Sequence, residues 1–130
     1  MKIIYTAPVL IIILVAIALS FFKQEPKKEE PKGKRYEKYY QTKMCNKLDG
    51  IIEYRLPDRT RVDCLTDDYA IEVDWAKKWA EGIGQALYYA QMTGRDPAVG
   101  LIVGKGDERY LKRLKKVADE FDIKIIILKK

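Results

Sequence analysis

Arg61-Val62-Asp63-Cys64-Leu65-Thr66-Asp67-Asp68-Tyr69-Ala70-Ile71-Glu72-Val73-Asp74 reads as two strands joined by a tight turn, and this stretch decides the fold. On either side of Asp67-Asp68 apolar and polar residues alternate, the period of a half-buried strand, and a paired acidic dipeptide between such runs is turn chemistry. If Asp67-Asp68 is the turn, Thr66 pairs with Tyr69, and counting back sets Asp63 directly opposite Glu72. On this reading Val62 and Cys64 share one face with Ile71 and Val73, while Asp63 shares the other with Glu72 and Asp74. Two like charges facing each other cost free energy unless a cation, a shared proton or a compensating Arg or Lys relieves them.

Outward from the hairpin the chain alternates helix and strand periods. Tyr36, Tyr39, Tyr40, Met44, Cys45 and Leu48 recur at helical spacing over 35–48, ended by Asp49-Gly50. A strand is expected over Ile51–Leu56, turning at Pro57-Asp58-Arg59-Thr60 into Arg61–Thr66. After the hairpin, Ala76, Trp79, Ala80, Ile83, Leu87 and Ala90 form a helical stripe that stops at Gly94. Val99–Val103 is apolar on both faces and so is expected to be a central strand. Asp107 is placed to cap a helix with the stripe Tyr110, Leu111, Leu114, Val117, Ala118 and Phe121, and Ile123–Leu128 closes the chain as a strand. The order predicts an α/β domain in which an antiparallel meander feeds parallel crossovers.

The chemistry available is restricted by composition. With no histidine in 130 residues, Ser/His/Asp triads, Cys/His pairs and His-ligated zinc are excluded together. Carboxylates, lysines, tyrosines or a bound metal must do any work. Mg²⁺ or Mn²⁺ needs few protein ligands, converging from rigid strands, because water fills its other positions. Asp63 and Glu72 meet that need, with the Val73 backbone carbonyl as a further ligand. On the following helix Lys78 and Gln85 fall about 20° apart at about 100° per residue, a placement for holding water or phosphate. The formal net charge of +6 suits an anionic partner such as nucleic acid. Tyr89 offers a ring for a base, and Arg109, Lys112, Arg113, Lys115 and Lys116 give the last helix a basic surface, most simply a solvated one. Gly104-Lys105-Gly106-Asp107 lacks the spacing of a phosphate-binding loop.

These residues resemble the PD-(D/E)xK nuclease superfamily, which has the restriction-endonuclease-like fold. The resemblance covers 35–130. It is most specific in Arg61-Val62-Asp63-Cys64-Leu65-Thr66, Ala70-Ile71-Glu72-Val73-Asp74 and Lys78-Trp79-Ala80-Glu81, which look like a group of small bacterial and phage members. It implies an αβββαβ core with a terminal αβ, Mg²⁺ or Mn²⁺ as cofactor, and DNA as partner. Asp63, Glu72 and Gln85 match the family's acid, Glu and helix Gln, with Glu37 on the first helix and Asp74 as further candidates. Val62 stands where the family has Pro, which touches no substrate. Asp74 stands where the motif has Lys; some members carry that lysine on the next helix, and Lys78 is placed to be such a residue. Without it, the resemblance implies an inactive nuclease-fold domain that binds nucleic acid or a protein.

Ile3 to Phe22 carries no charge and is long enough to span roughly 30 Å as a helix, so residues 1–23 read as a membrane anchor or an uncleaved signal. The apolar run continues past Ala16-Ile17-Ala18, which favours an anchor. Residues 24–34, rich in Lys, Glu and Pro, read as a solvated linker. Lys23, Lys27, Lys28, Lys32, Lys34 and Arg35 follow the run, so the positive-inside rule places a single-pass chain with its domain on the cytoplasmic side; the alternative is periplasmic or secreted. Cys45 and Cys64 are compatible with one disulfide in an oxidising compartment or with two small buried hydrophobes.

Overall fold

The computed structural model describes residues 32–130, with side chains from Tyr36 onward. The anchor expected over 1–23 and all of the linker before Lys32 lie outside the described residues. No described helix is long and apolar enough to cross a membrane.

Helix α1 (Lys32–Lys47) leads into strands β1 (Ile51–Arg55), β2 (Arg61–Leu65) and β3 (Tyr69–Trp75). A 3₁₀ turn (Ala76–Lys78) then enters α2 (Trp79–Thr93), followed by β4 (Asp96–Val103), α3 (Glu108–Phe121) and β5 (Lys124–Lys129). The five strands form one mixed sheet in the order β1-β2-β3-β4-β5. Tight turns make the first two pairings antiparallel, and the crossovers through α2 and α3 make β3–β4 and β4–β5 parallel. The expected α/β layering is therefore present. The first turn is held by Leu56 N–H donating to Thr60 O at 2.9 Å and by Asp58 Oδ1 accepting from Thr60 N–H at 3.0 Å.

Each face of the sheet buries its own core. Met44 and Cys45 of α1 pack with Cys64, Ile71, Val73, Ala98 and Ile102. On the opposite face Ile83, Ala86, Leu114 and Ala118 of α2 and α3 pack on Val99 and Leu101. Strand β4 is thus covered on both sides, as its unbroken apolar run requires. Gly100 sits at its tightest point, where an added Cβ would lie 3.1 Å from Val73, 3.2 Å from Met44 and 3.3 Å from Leu128. Gly100→Val is expected to destabilise by about 2 kcal/mol through overpacking, read as a lower denaturant midpoint at unchanged slope.

Several helix faces differ from the sequence expectation. On α1 the tyrosines Tyr36 and Tyr39 and the following Leu48 point outward, while Gln41, Met44 and Cys45 are buried. A Cys45–Cys64 disulfide and the hydrogen bonds of Gln41 fix this rotation, so polar and covalent links override the tyrosine stripe. On α2 the buried residues are Gly82, Ile83, Ala86 and Tyr89, leaving Ala80 at the surface. Tyr89 packs with Leu56, Val62 and Ala70, so its ring is not open to stack on a base. On α3, Phe121 is exposed because the helix ends there, with Asp122 in the left-handed conformation. Asp107 does not cap α3 through its side chain. Its Oδ2 instead accepts from Gly104 N–H at 2.9 Å and from the Lys130 ammonium at 3.0 Å, fastening the loop to the chain end and holding Asp107 below the usual carboxylate range.

A candidate carboxylate site where two strands part

The register of the β2–β3 hairpin is the expected one: Cys64 pairs with Ile71, Leu65 with Ala70, and Thr66 N–H donates to Tyr69 O at 2.9 Å. Beyond Cys64 the backbone ladder stops. Val73 N–H donates not to a carbonyl of β2 but to Asp63 Oδ2, at 2.8 Å. Across β1, Glu53 adopts a positive φ of 56° in the middle of the strand, between the pairs Ile52–Cys64 and Tyr54–Val62. Such a kink re-aims side chains. Val62 accordingly does not share a face with Cys64, as strict alternation required; it packs with Leu56, Ala70 and Tyr89, whereas Cys64 lies with Ile71 and Val73. The strand turns over at Asp63, and the Asp63 carboxylate enters the gap between β2 and β3.

Three carboxylates lie around that gap, Asp63 half-buried and the other two buried. Glu72 is 8% exposed and Asp74 3% exposed, on the α2 side of β3. Burial dominates their titration: Asp63 and Asp74 are each pushed up to about 7, and Glu72 to about 10. Mutual repulsion adds to burial. Asp63 and then Asp74 are the leading charges raising Glu72, and Glu53 and Glu37 raise Asp63. Glu37 acts on all three acids, so α1 contributes charge to the site from the other face of the sheet. Glu72 Oε2 and Asp74 Oδ2 are buried without a hydrogen-bond partner. Buried polar atoms are normally satisfied, and two unsatisfied carboxylate oxygens on one strand face call for a proton or a cation.

Cations in the surroundings are already engaged. Arg61 pairs with Glu53 Oε2 at 2.7 Å and only weakly offsets the rise in Asp63. Lys78 closes the 3₁₀ turn, its Nζ 3.8 Å from Asp74 Oδ1 and 3.4 Å from Glu81 Oε2. Asp74 remains raised because its burial outweighs the half-exposed ammonium. The 3₁₀ turn also changes the expected alignment of Lys78 with Gln85. A count of 100° per residue holds within α2, which begins at Trp79, and not across the junction. Gln85 is half-buried, and among the described residues no hydrogen bond joins it to the acids. The structure therefore brings together Asp63, Glu72, Asp74, Glu37 and Lys78, and leaves Gln85 untied to them.

Two positioning residues escaped the sequence reading. Gln41, buried one turn after Glu37, donates from Nε2 to Glu53 Oε1 at 3.1 Å and to Asp63 O at 2.9 Å. Glu53 thereby stands beside Asp63, tied to both Gln41 and Arg61. A usable signal for Glu53 was the Pro57–Thr60 turn: pairing Arg55 with Arg61 sets Glu53 level with Asp63.

Among the described residues no set of three or more acidic or cysteine side chains already converges as a complete metal cage. A strand residue directs its N–H and C=O to the same side, so the Val73 carbonyl faces the same gap as the N–H that binds Asp63. The oxygen donors present at the gap, the Asp63 and Glu72 carboxyls and that carbonyl, are of the chemical type a hard divalent ion takes. Comparison with protein-family models, curated protein sequences and solved structures returns no significant match.

Proposed function

We propose that this chain is a divalent-metal-dependent phosphodiester hydrolase, an endonuclease-like enzyme of the PD-(D/E)xK type acting on nucleic acid, with DNA as the expected substrate. The observation that carries the reading is the Glu72 carboxylate, buried, raised to about 10 and left with an unbonded oxygen beside Asp63. A site of this kind is strained when empty of positive charge and is relieved by a cation. The element order αβββαβ followed by αβ, with the acids on β2 and β3, supports the restriction-endonuclease-like architecture.

In this reading Asp63, Glu72 and the Val73 carbonyl hold Mg²⁺ or Mn²⁺, with Asp74 as an outer acid. The bound ion supplies charge stabilisation at the phosphodiester and a more acidic water. Lys78 reaches back one turn to Asp74, so its ammonium arrives beside the residue that occupies the motif-lysine position. There it steadies the phosphate or the attacking water. Gln41 and Glu53 fix the Asp63 backbone, and Glu37 adds negative charge that draws positive charge, proton or cation, to the site.

The same observations give the non-catalytic reading one specific support. Lys78 is shared between Asp74 and Glu81, and in that role it neutralises a buried acid rather than attending a phosphate.

Nicking of supercoiled plasmid separates the two. The purified chain is expected to nick DNA with Mg²⁺ and not with EDTA. Asp63→Asn should abolish nicking, and Lys78→Ala should lower its rate by roughly 100-fold. A wild-type chain that binds DNA and gains thermal stability with Mg²⁺ but never nicks it returns the non-catalytic reading.

The expected membrane tether at Ile3–Phe22 belongs to this proposal. The Cys45–Cys64 disulfide supports an oxidising compartment for the domain, the alternative to the cytoplasmic side suggested by the flanking lysines.

A further inference from the structure

The two faces of the sheet are unequally covered. Helices α2 and α3 share one face, while α1 alone covers the other, crossing toward β4 and leaving a groove of about 460 Å³ between itself and β5. Tyr40, Met44 and Leu48 line one wall, Ile126 and Leu128 the other, with Lys43, Lys47 and Lys129 around them.

The outward face of α1 continues that surface. At about 100° per residue, Tyr36, Tyr39, Tyr40, Lys43 and Lys47 fall within one face roughly 100° wide, turned away from the half-buried Glu37 and the buried Gln41, Met44 and Cys45. Tyr36 is 65% exposed and Tyr39 58% exposed, and the Lys43 ammonium lies 5.8 Å from the centre of the Tyr39 ring. That face holds no acid, since Glu37, the one acidic residue of the helix sequence, is turned toward the site. Leu48 and Ile127 add exposed apolar surface at the groove. Tyrosines and lysines interleaved on a helix face beside an open apolar groove match the boundary between lipid headgroups and acyl chains. Tyrosine rings sit at headgroup depth, and lysine stems lie along the apolar region with their ammonium groups on phosphate.

We propose that the Tyr36–Lys47 face of α1 and the α1–β5 groove dock on an anionic lipid surface. The occupant is argued from charge and from chain length. The surface is basic, and in the sequence the apolar run Ile3–Phe22, read as an anchor, precedes α1 by only a short charged segment. The proposal rests on the anchor reading and not on nuclease activity. Docking by this face would leave the α2 side of β3, where Glu72 and Asp74 lie, turned away from the lipid.

The test uses the full chain carrying the photoreactive residue benzoylphenylalanine, either at position 39 or at Tyr88, which is exposed on α2 under the opposite face. Each protein is reconstituted in vesicles of phosphatidylcholine alone or with one third phosphatidylglycerol. Position 39 should crosslink to lipid strongly in the anionic vesicles, and position 88 should not. Lys43→Glu with Lys47→Glu, both exposed and so compatible with folding, should lower the crosslink roughly tenfold or more. Equal labelling at 39 and 88, or no dependence on phosphatidylglycerol, overturns the docking while leaving the anchor. A crosslink from position 39 to a second protein chain overturns it in favour of self-association. A chain that does not float with either vesicle overturns the anchor and the docking together, whatever its activity on DNA.

Discussion

Glu72→Gln is expected to stabilise the metal-free protein at pH 8 by roughly 3 kcal/mol while removing its response to Mg²⁺ and its nicking activity. The sign follows from proton counting. Carboxyls of Asp63 and Asp74 raised to about 7, and of Glu72 raised to about 10, bind protons in the folded chain at pH values where the unfolded chain has released them. Unfolded carboxyls titrate near 4. Folding stability in EDTA is therefore fullest near pH 4 and falls as pH rises, through about 7 for the two aspartates and onward toward 10 for Glu72. The glutamine variant lacks the largest single contribution to this loss, that of Glu72, so its gain should vanish near pH 4. Mg²⁺ acts in the opposite direction, favouring the ionised acids and raising wild-type stability most at alkaline pH. Denaturant midpoints at pH 4.5 and pH 8, with and without Mg²⁺, measure all of this. A variant no more stable than wild type at pH 8 would show that the Glu72 carboxyl is not held protonated by its surroundings, and the case for a cation site would lose its main support.

Reduction of the Cys45–Cys64 disulfide should produce the largest loss of stability. Both sulfurs are fully buried, and Gly50 packs against them so closely that an added Cβ would lie 2.8 Å from Cys45 Sγ. The bridge closes a sequence separation of 19 residues, for which chain entropy gives about 3 kcal/mol. In a domain of this size that loss lowers Tm by roughly 15 °C. A second effect follows from position. Cys64 is the neighbour of Asp63, and Cys45 lies one turn beyond Gln41, whose amide holds the Asp63 carbonyl at 2.9 Å. Loss of the bridge should therefore weaken Mg²⁺ binding as well as the fold. The paired variant Cys45→Ala with Cys64→Ala, compared with wild type under oxidising and reducing conditions, checks both effects. Equal melting temperatures in all states, together with free thiols in the untreated protein, would remove the bridge and with it the support for an oxidising compartment.

The hairpin shows how far local pattern reaches. Alternation around Asp67-Asp68 specified the register, and with it the approach of Asp63 to Glu72, because a tight turn leaves a strand pair no freedom to slip. It did not specify the kink. That Asp63 replaces a backbone acceptor for Val73 N–H, and that Val62 turns away from Cys64, depends on Glu53 in the neighbouring strand and on Gln41 in α1, both distant in sequence. The rotation of α1 was hidden for the same reason. Its tyrosines make the stronger apolar stripe, yet the buried face is chosen by a disulfide and an amide.

Sequence by itself determined the order of elements, the hairpin register next to the turn, the absence of histidine chemistry and the placement of acids on adjacent strands, all properties of residue type and spacing along one chain. Only the tertiary structure decided that Glu72 and Asp74 are buried, that Glu37 acts on them from the opposite face, that Lys78 meets Asp74 through a 3₁₀ turn, and that α1 leaves a tyrosine and lysine face uncovered among the described residues. Burial and the convergence of charge depend on which helices lie over which strands, and that is settled by packing between segments far apart in the chain.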